Sequence, residues 1–193
     1  MTHWINILPL LIIFTSCIAF LSASKPKLVL FSMGLIYICV FIITVQFNST
    51  WSTLIRLVAG LATLLMVFIS FSGKKLTFPE NPRSGLIFRL LGFILFSIIA
   101  VLASIKTADF LNFPIDVILA GLLITFCGIL ELGTSGLPLK VILGILVLYC
   151  GFSMIYCSLE TSLLVNGLLS AINLALGVVG AYFVTREVLV AEK

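Results

Sequence analysis

Seven apolar runs, near positions 4–23, 28–46, 52–72, 86–105, 114–131, 139–158 and 162–184, leave this chain few residues that could face water on all sides. Each is about 18–23 residues long, the length at which an α-helix crosses about 30 Å of hydrocarbon. With 62% of its residues hydrophobic and 9% charged, against roughly 45–50% and 25% in soluble domains, the chain takes the bilayer as its expected solvent. The expectation is an all-α, polytopic membrane protein: seven transmembrane helices forming a single membrane domain over residues 1–193. Apart from "GKKLTFPENPRSG" the connections are a few residues long, so a nucleotide, haem or nucleic-acid module has nowhere to fold. The first run lacks a basic n-region and an A-x-A-like cleavage site, and is read as a helix rather than a signal sequence.

Orientation follows from lysine and arginine, which favour the inner face. With the N-terminus outside, the inner connections hold Lys25, Lys27, Lys74, Lys75, Arg83, Arg89 and Lys140, and the inner tail holds Arg186 and Lys193. Lys106 and Arg56 alone remain on the outer side. The expected topology is N-out and C-in, in a bacterial inner membrane with the C-terminus cytoplasmic. The net charge of +4 then reflects topology and anionic lipid, not nucleic acid. Cys17, Cys39, Cys127, Cys150 and Cys157 all fall in apolar runs without a ligand spacing, and read as small buried hydrophobes. The one histidine, His3, has no partner nearby in sequence, so neither a zinc site nor a Ser/His/Asp triad can be argued.

An internal repeat emerges when residues 12–41 are set against 123–152. Ile18 falls on Ile129, Ser24 on Ser135, Cys39 on Cys150 and Phe41 on Phe152, each 111 positions apart, with Pro26 near Pro138 and Tyr37 near Tyr149. Two parallel three-helix units, residues 1–73 and 110–186, would then be joined by an inverting linker helix at 86–105. Parallel repeats are a known transporter plan, with sites near the repeat interface. The same alignment sets Arg56 opposite Asn166, both about one turn below the outer surface.

Polar residues in the apolar runs are the candidate site. Ser52, Arg56, Ala59, Gly60, Thr63, Val67 and Ser70 form a stripe at helical spacing on the third helix, as Asn166, Ser170, Asn173, Gly177 and Ala181 do on the seventh. Such stripes either glue helices together or line a polar passage between the units. Arg56 costs roughly 2.5–3.5 kcal/mol at a helix centre on insertion scales. Near the interface it either snorkels to the headgroups or pairs with Asp116 or Glu160. Asp116, two residues after Pro114, also complements the positive end of the fifth helix, and Glu160 in "CSLETS" reads equally as a solvated turn residue. Glu131 ends the fifth helix, where the dipole disfavours a carboxylate, and Lys140 at the start of the sixth is the available cation. That pair is either a stabilising ion pair or a proton relay. "NST" at 48–50 matches a glycosylation acceptor only formally.

The last three runs, "GLLITFCGILELGTSGLPLKVILGILVLYCGFSMIYCSLETSLLVNGLLSAINLALGVVGAYFVTR" over residues 121–186, resemble the small K-type membrane subunit of respiratory complex I. They are similar too to the C-type subunit of multisubunit cation/proton antiporters and to membrane subunits of energy-converting hydrogenases. "LKVILGIL" and "INLALGVVGAYFVTR" keep that family's frame of three N-out, C-in helices with an inner basic turn. The family carries G-L-E on its second helix and A-E-x-x-x-G-L-A on its third. Here Leu146 follows Gly144 and Ile145, and Ser170, Ala171 and Ile172 stand where the second carboxylate falls. What the resemblance implies is therefore a scaffold: an accessory subunit of an ion-translocating or electron-transfer-coupled complex, sealing the arm beside larger polytopic subunits. It implies no catalytic residue and no cofactor in this chain, and puts any quinone or ion pathway in the neighbouring subunits. The alternative is a stand-alone carrier of a small solute on a three-plus-one-plus-three helix plan resembling the SWEET sugar transporters, although no PQ-loop dipeptide occurs.

Overall fold

Three prolines stand at helix starts, where a fixed φ and a missing N–H cost nothing. Pro26 and Pro138 open the second and sixth helices and Pro114 is the residue before the fifth. In chain order the helices are α1 (His3–Ser22), α2 (Pro26–Thr44), α3 (Thr50–Phe71), α4 (Arg83–Leu111), α5 (Ile115–Thr134), α6 (Pro138–Leu159) and α7 (Leu163–Ala191). The structure, a computed structural model, describes residues 3–71, 83–111, 113–160 and 162–191, with side chains over 7–70, 85–111, 113–160 and 162–185. No strand occurs among the described residues. Of the basic residues used for orientation, Lys74, Lys75 and Lys193 lie outside the described residues, and the side chains of Arg83 and Arg186 do too, as does that of His3.

Six helices, α2 to α7, are long and apolar enough to cross a membrane, with mean hydropathy between 1.9 and 2.6 over their best windows. The chain is in this sense a multi-pass membrane protein. The described apolar part of α1, Ile7–Ser22, is shorter. Helices α4, α5 and α7 run past the ends of their sequence windows. α4 continues to Leu111 through Lys106 and Asp109, both exposed, because polar residues end an apolar window without ending a helix.

The core lies between α1, α2, α5 and α6. Ile13, Cys17, Phe20 and Leu21 of α1 meet Met33, Ile36, Val40 and Ile43 of α2, with Val117, Ile124 and Cys127 of α5 and Leu143, Leu146, Val147, Cys150 and Met154 of α6. All five cysteines are free and buried. α4 lies against α5 and, less extensively, α1, through the Phe14–Phe93 and Phe96–Phe126 ring pairs, at 5.4 and 5.0 Å between centroids. Only 17% of its spanning window is buried, so most of its surface is left for lipid or a neighbour. α3 and α7 pack on each other and reach the rest of the bundle only through α2 and α6.

Closest approach comes at α5 and α6. A Cβ added to Gly128 would lie 2.5 Å from the backbone nitrogen of Leu148, and one added to Gly151 would lie 2.6 Å from that of Thr125. Gly121 and Gly128 on α5, and Gly144 and Gly151 on α6, recur at seven-residue intervals, the repeat that keeps one seam facing a partner helix. Since backbone rather than a yielding side chain occupies the space, Gly128→Ala should destabilise the protein by about 1–3 kcal/mol. Gly133→Ala, where nothing lies within 4 Å, should instead stabilise by up to about 1 kcal/mol. Unfolding midpoints of the two variants in detergent check both signs.

Candidate functional site

Two polar clusters interrupt the apolar interior, one near each end of α6. The first joins α4, α5 and α6. Glu131, one turn before the end of α5, stands 3.7 Å from Arg89 Nη1 through Oε2 and 3.7 Å from Lys140 Nζ through Oε1. All three side chains are almost wholly buried, at 1%, 6% and 3% exposure respectively. Arg89 Nη2 donates to the Thr134 carbonyl at 2.9 Å and to Ser135 Oγ at 3.2 Å, and Ser135 Oγ in turn donates to Glu131 Oε1. The arrangement has an electrostatic reason. A carboxylate at a helix C-terminus and a lysine in a helix first turn both oppose the macrodipole, and here each offsets the other. Arg89 meanwhile supplies a cation to the exposed carbonyls that end α5. Among the described residues, two cations thus meet at one carboxylate.

The second cluster surrounds a partly open chamber of about 30 Å³ between α2, α3, α6 and α7. Arg56 projects into it from α3 and its Nη2 donates to Ser153 Oγ of α6 at 3.2 Å. Tyr37 of α2 donates to Asn173 Oδ1 of α7 at 3.4 Å, and Tyr149 of α6 donates to the Leu169 carbonyl of α7 at 2.7 Å. Thr63 of α3 donates to the Ala59 carbonyl at 2.8 Å and its Oγ1 lies 3.3 Å from the Asn173 carbonyl, beneath Gly177, whose missing Cβ would lie 2.6 Å from the Thr63 methyl. The ring of Tyr37 likewise occupies the space a side chain at Gly60 would need. Small residues on α3 and α7 thus admit the groups that bridge to them.

The residues expected from sequence divide between these clusters. Glu131 and Lys140 form the anticipated ion pair. Arg56 neither lies among the exposed residues nor ion-pairs with Asp116 or Glu160: it turns inward to Ser153, and no carboxylate lines its chamber. Asn173 is in that chamber, while Asn166 sits about two turns further along α7, buried, its Nδ2 donating to the Ser162 carbonyl. Asp116 is half-buried in the first turn of α5, the position that suits the helix dipole. Glu160 is exposed after α6 and accepts from the Ser162 backbone N–H. Asn48 is not displayed as a glycan acceptor, since its Nδ2 donates to the Cys157 carbonyl at 3.1 Å. Sequence reasoning counted Arg89 only as an orienting charge. Its signal was its place inside the fourth apolar run, where a cation needs a partner. In the sequence Tyr37 and Tyr149 stand out only as a matched pair of the repeat and Ser153 not at all, because tyrosine and serine are common in membrane helices. No family model, curated protein or solved structure matches the chain.

Removing the Glu131 carboxylate takes from Arg89 and Lys140, both buried, the anion they share. Glu131→Gln should therefore cost about 3–5 kcal/mol. Replacing the whole cluster (Arg89→Met, Glu131→Leu, Lys140→Met) should return stability to the parent value or above, because a well-packed apolar triad avoids the desolvation cost. Equilibrium unfolding of the purified variants gives both numbers.

Proposed function

We propose that this chain is an accessory integral-membrane subunit of a multisubunit ion-translocating or electron-transfer-coupled complex, packing and sealing a membrane arm beside larger polytopic subunits. The size of the polar chamber carries this reading. About 30 Å³ accommodates two water-sized occupants, each needing about 10–15 Å³, whereas ligand pockets run to several hundred Å³. The other polar cluster, at Glu131, is a set of ion pairs among Arg89, Glu131 and Lys140. A bundle with these two features fits a scaffold better than a carrier of solutes. The likeness of residues 121–186 to K-type and C-type subunits points the same way, and α4 offers an apolar face of Ile87, Phe88, Leu91, Leu95, Ile98 and Leu102 to a neighbour or to lipid.

The reading includes the N-out, C-in topology and the two parallel units. Two apolar grooves support the duplication. One lies between α2 and α3 and includes Lys27, Leu30, Phe31, Gly34, Leu35, Leu65 and Phe68. The other lies between α6 and α7 and includes Pro138, Val141, Ile142, Ile145, Leu146, Leu176 and Val179. Taken in order, these residues of the first stand 111 positions before those of the second, the interval at which the cysteines and serines align, while Ile38, Leu61 and Leu64 of the first and Gly180 and Phe183 of the second have no such counterpart. The helix pairs follow suit: α1 packs on α2 as α5 does on α6, while α1 meets α5, α2 meets α6 and α3 meets α7, the pattern of two like units facing across a pseudo-twofold axis.

Isolation from native membranes in mild detergent should bring down a reproducible set of larger antiporter-like membrane proteins, identified by mass spectrometry. The pure chain in liposomes should pass no solute. Recovery of the chain alone, with solute flux abolished by Arg56→Ala, would establish the carrier instead. For topology, Lys27→Cys should react with an impermeant maleimide only from the cytoplasmic side and Glu160→Cys only from outside. Both positions are exposed, and the native cysteines are buried.

A further inference from the structure

Among the described residues, the chamber between α2, α3, α6 and α7 has a charge without a counter-charge. Arg56 brings a guanidinium with five N–H donors, and its hydrogen bond goes to the neutral Ser153 hydroxyl. The wall residues are Tyr37, Val40, Phe41, Thr44, Thr53, Leu57, Tyr149, Cys150, Ser153, Leu169, Ser170 and Asn173, none of them acidic. Hydroxyl donors on that wall are already committed. Thr44, Thr53, Ser153 and Ser170 donate to carbonyls one turn back on their own helices, Tyr149 to the Leu169 carbonyl and Tyr37 to Asn173 Oδ1. With its oxygen engaged, Asn173, which is 6% exposed, keeps its Nδ2 hydrogens as donors into the same space. The unspent donors of the chamber are thus the N–H groups of Arg56 and Asn173, one of them cationic, while the wall hydroxyls keep only neutral oxygen lone pairs.

We propose that this chamber is a binding site for one small monatomic anion of the halide class, held by the Arg56 guanidinium and the Asn173 amide. Charge and size select the occupant together. A cation is repelled by Arg56, and an uncompensated guanidinium away from bulk water is costly, so an anion gains what the protein itself does not supply. A volume of about 30 Å³, room for about two water-sized occupants, favours a monatomic ion over sulfate or a lipid phosphate with its ester arms. The site takes part in no ion pathway: it completes the electrostatics of the joint where α3 and α7 meet α2 and α6, independently of which complex the chain belongs to.

Ligand that binds only the folded state raises the unfolding temperature with its concentration. The full chain, purified in neutral detergent and exchanged into gluconate, should show a saturable rise in unfolding temperature on adding chloride or bromide at constant ionic strength, by about 3 °C or more at ten times the dissociation constant. The ³⁵Cl resonance should broaden in its presence and narrow again when bromide competes. Sulfate at equal ionic strength should give neither effect. Arg56→Gln should lose both responses, Arg56→Lys should keep a weakened one, and Lys27→Gln, on the α2–α3 groove, should leave them unchanged. Equal stabilisation by chloride, sulfate and gluconate, measured on the unaltered protein, overturns the proposal whether or not the Arg56 variants fold. So does unaltered chloride broadening in Arg56→Gln, which would place the ion elsewhere. A chamber holding water alone gives a halide-independent unfolding temperature and overturns it equally.

Discussion

Hydrocarbon offers no hydrogen-bond partner, and this one fact determines both the helices and how they can be held together. Every backbone N–H and C=O within a span must be satisfied inside its own helix, and the same pressure governs the hydroxyls. Thr15, Ser32, Thr44, Thr63, Ser70, Ser97, Thr125, Thr134, Ser158 and Ser170 all donate to a carbonyl three or four residues earlier on the same helix. A hydroxyl that has bonded its own turn has little left for a neighbour. Interhelical cohesion therefore falls to two other devices: glycine seams that bring backbones into contact, and the few side chains long enough to cross a gap.

Those long side chains are sparse, and each sits where helix-end electrostatics or small neighbours make room for it. Glu131 and Lys140 occupy the helix ends that disfavour them, and their 3.7 Å approach makes the two misplacements cancel. Arg89 reaches from α4 to the same point and ties a peripheral helix, buried over only 17% of its span, to the end of α5. Without that arm α4 would be held to α5 chiefly by apolar packing and one stacked phenylalanine pair, and apolar packing in lipid discriminates poorly between protein and acyl chain. The charged cluster is better understood as fixing where α4 sits than as adding stability, since a buried ion pair is at best weakly stabilising.

How far the sequence disclosed this follows from what each residue's signal depends on. The seven helices were legible because apolar length in a bilayer admits one solution; the helix ends were less so, since Lys106 and Asp109 closed an apolar window while α4 ran on to Leu111. The Glu131–Lys140 pair could be read because nine residues and one turn separate its members. Arg89 could not be assigned to it, because Arg89 and Glu131 are 42 positions apart and no local pattern reports which helix α4 lies against. The polar stripes on α3 and α7 were correctly seen as inward-facing at Thr63, Asn166, Ser170 and Asn173, yet the partners of Arg56 were sought among carboxylates. Coulomb attraction ranks partners in sequence; in the fold, reach decides, and Ser153 is within reach where Asp116 and Glu160 are not brought to the chamber.

The α3–α7 pair shows what such reach accomplishes. Together the two helices form a layer attached to the bundle only along α2 and α6, with an apolar groove on either flank. Leucine and valine at that joint would be as content against lipid, so they could not fix the layer in place. Tyrosine can. Tyr37 from α2 and Tyr149 from α6 approach α7 from opposite sides and take Asn173 Oδ1 and the Leu169 carbonyl, four residues apart on one helix, while Arg56 returns a bond from α3 to α6. Because these donors come from both flanking helices and converge within about one turn, sliding α7 along its axis or rotating it would break more than one of them at once. The polar chamber is the space these crossings enclose, and its size follows from the length of the side chains that span it.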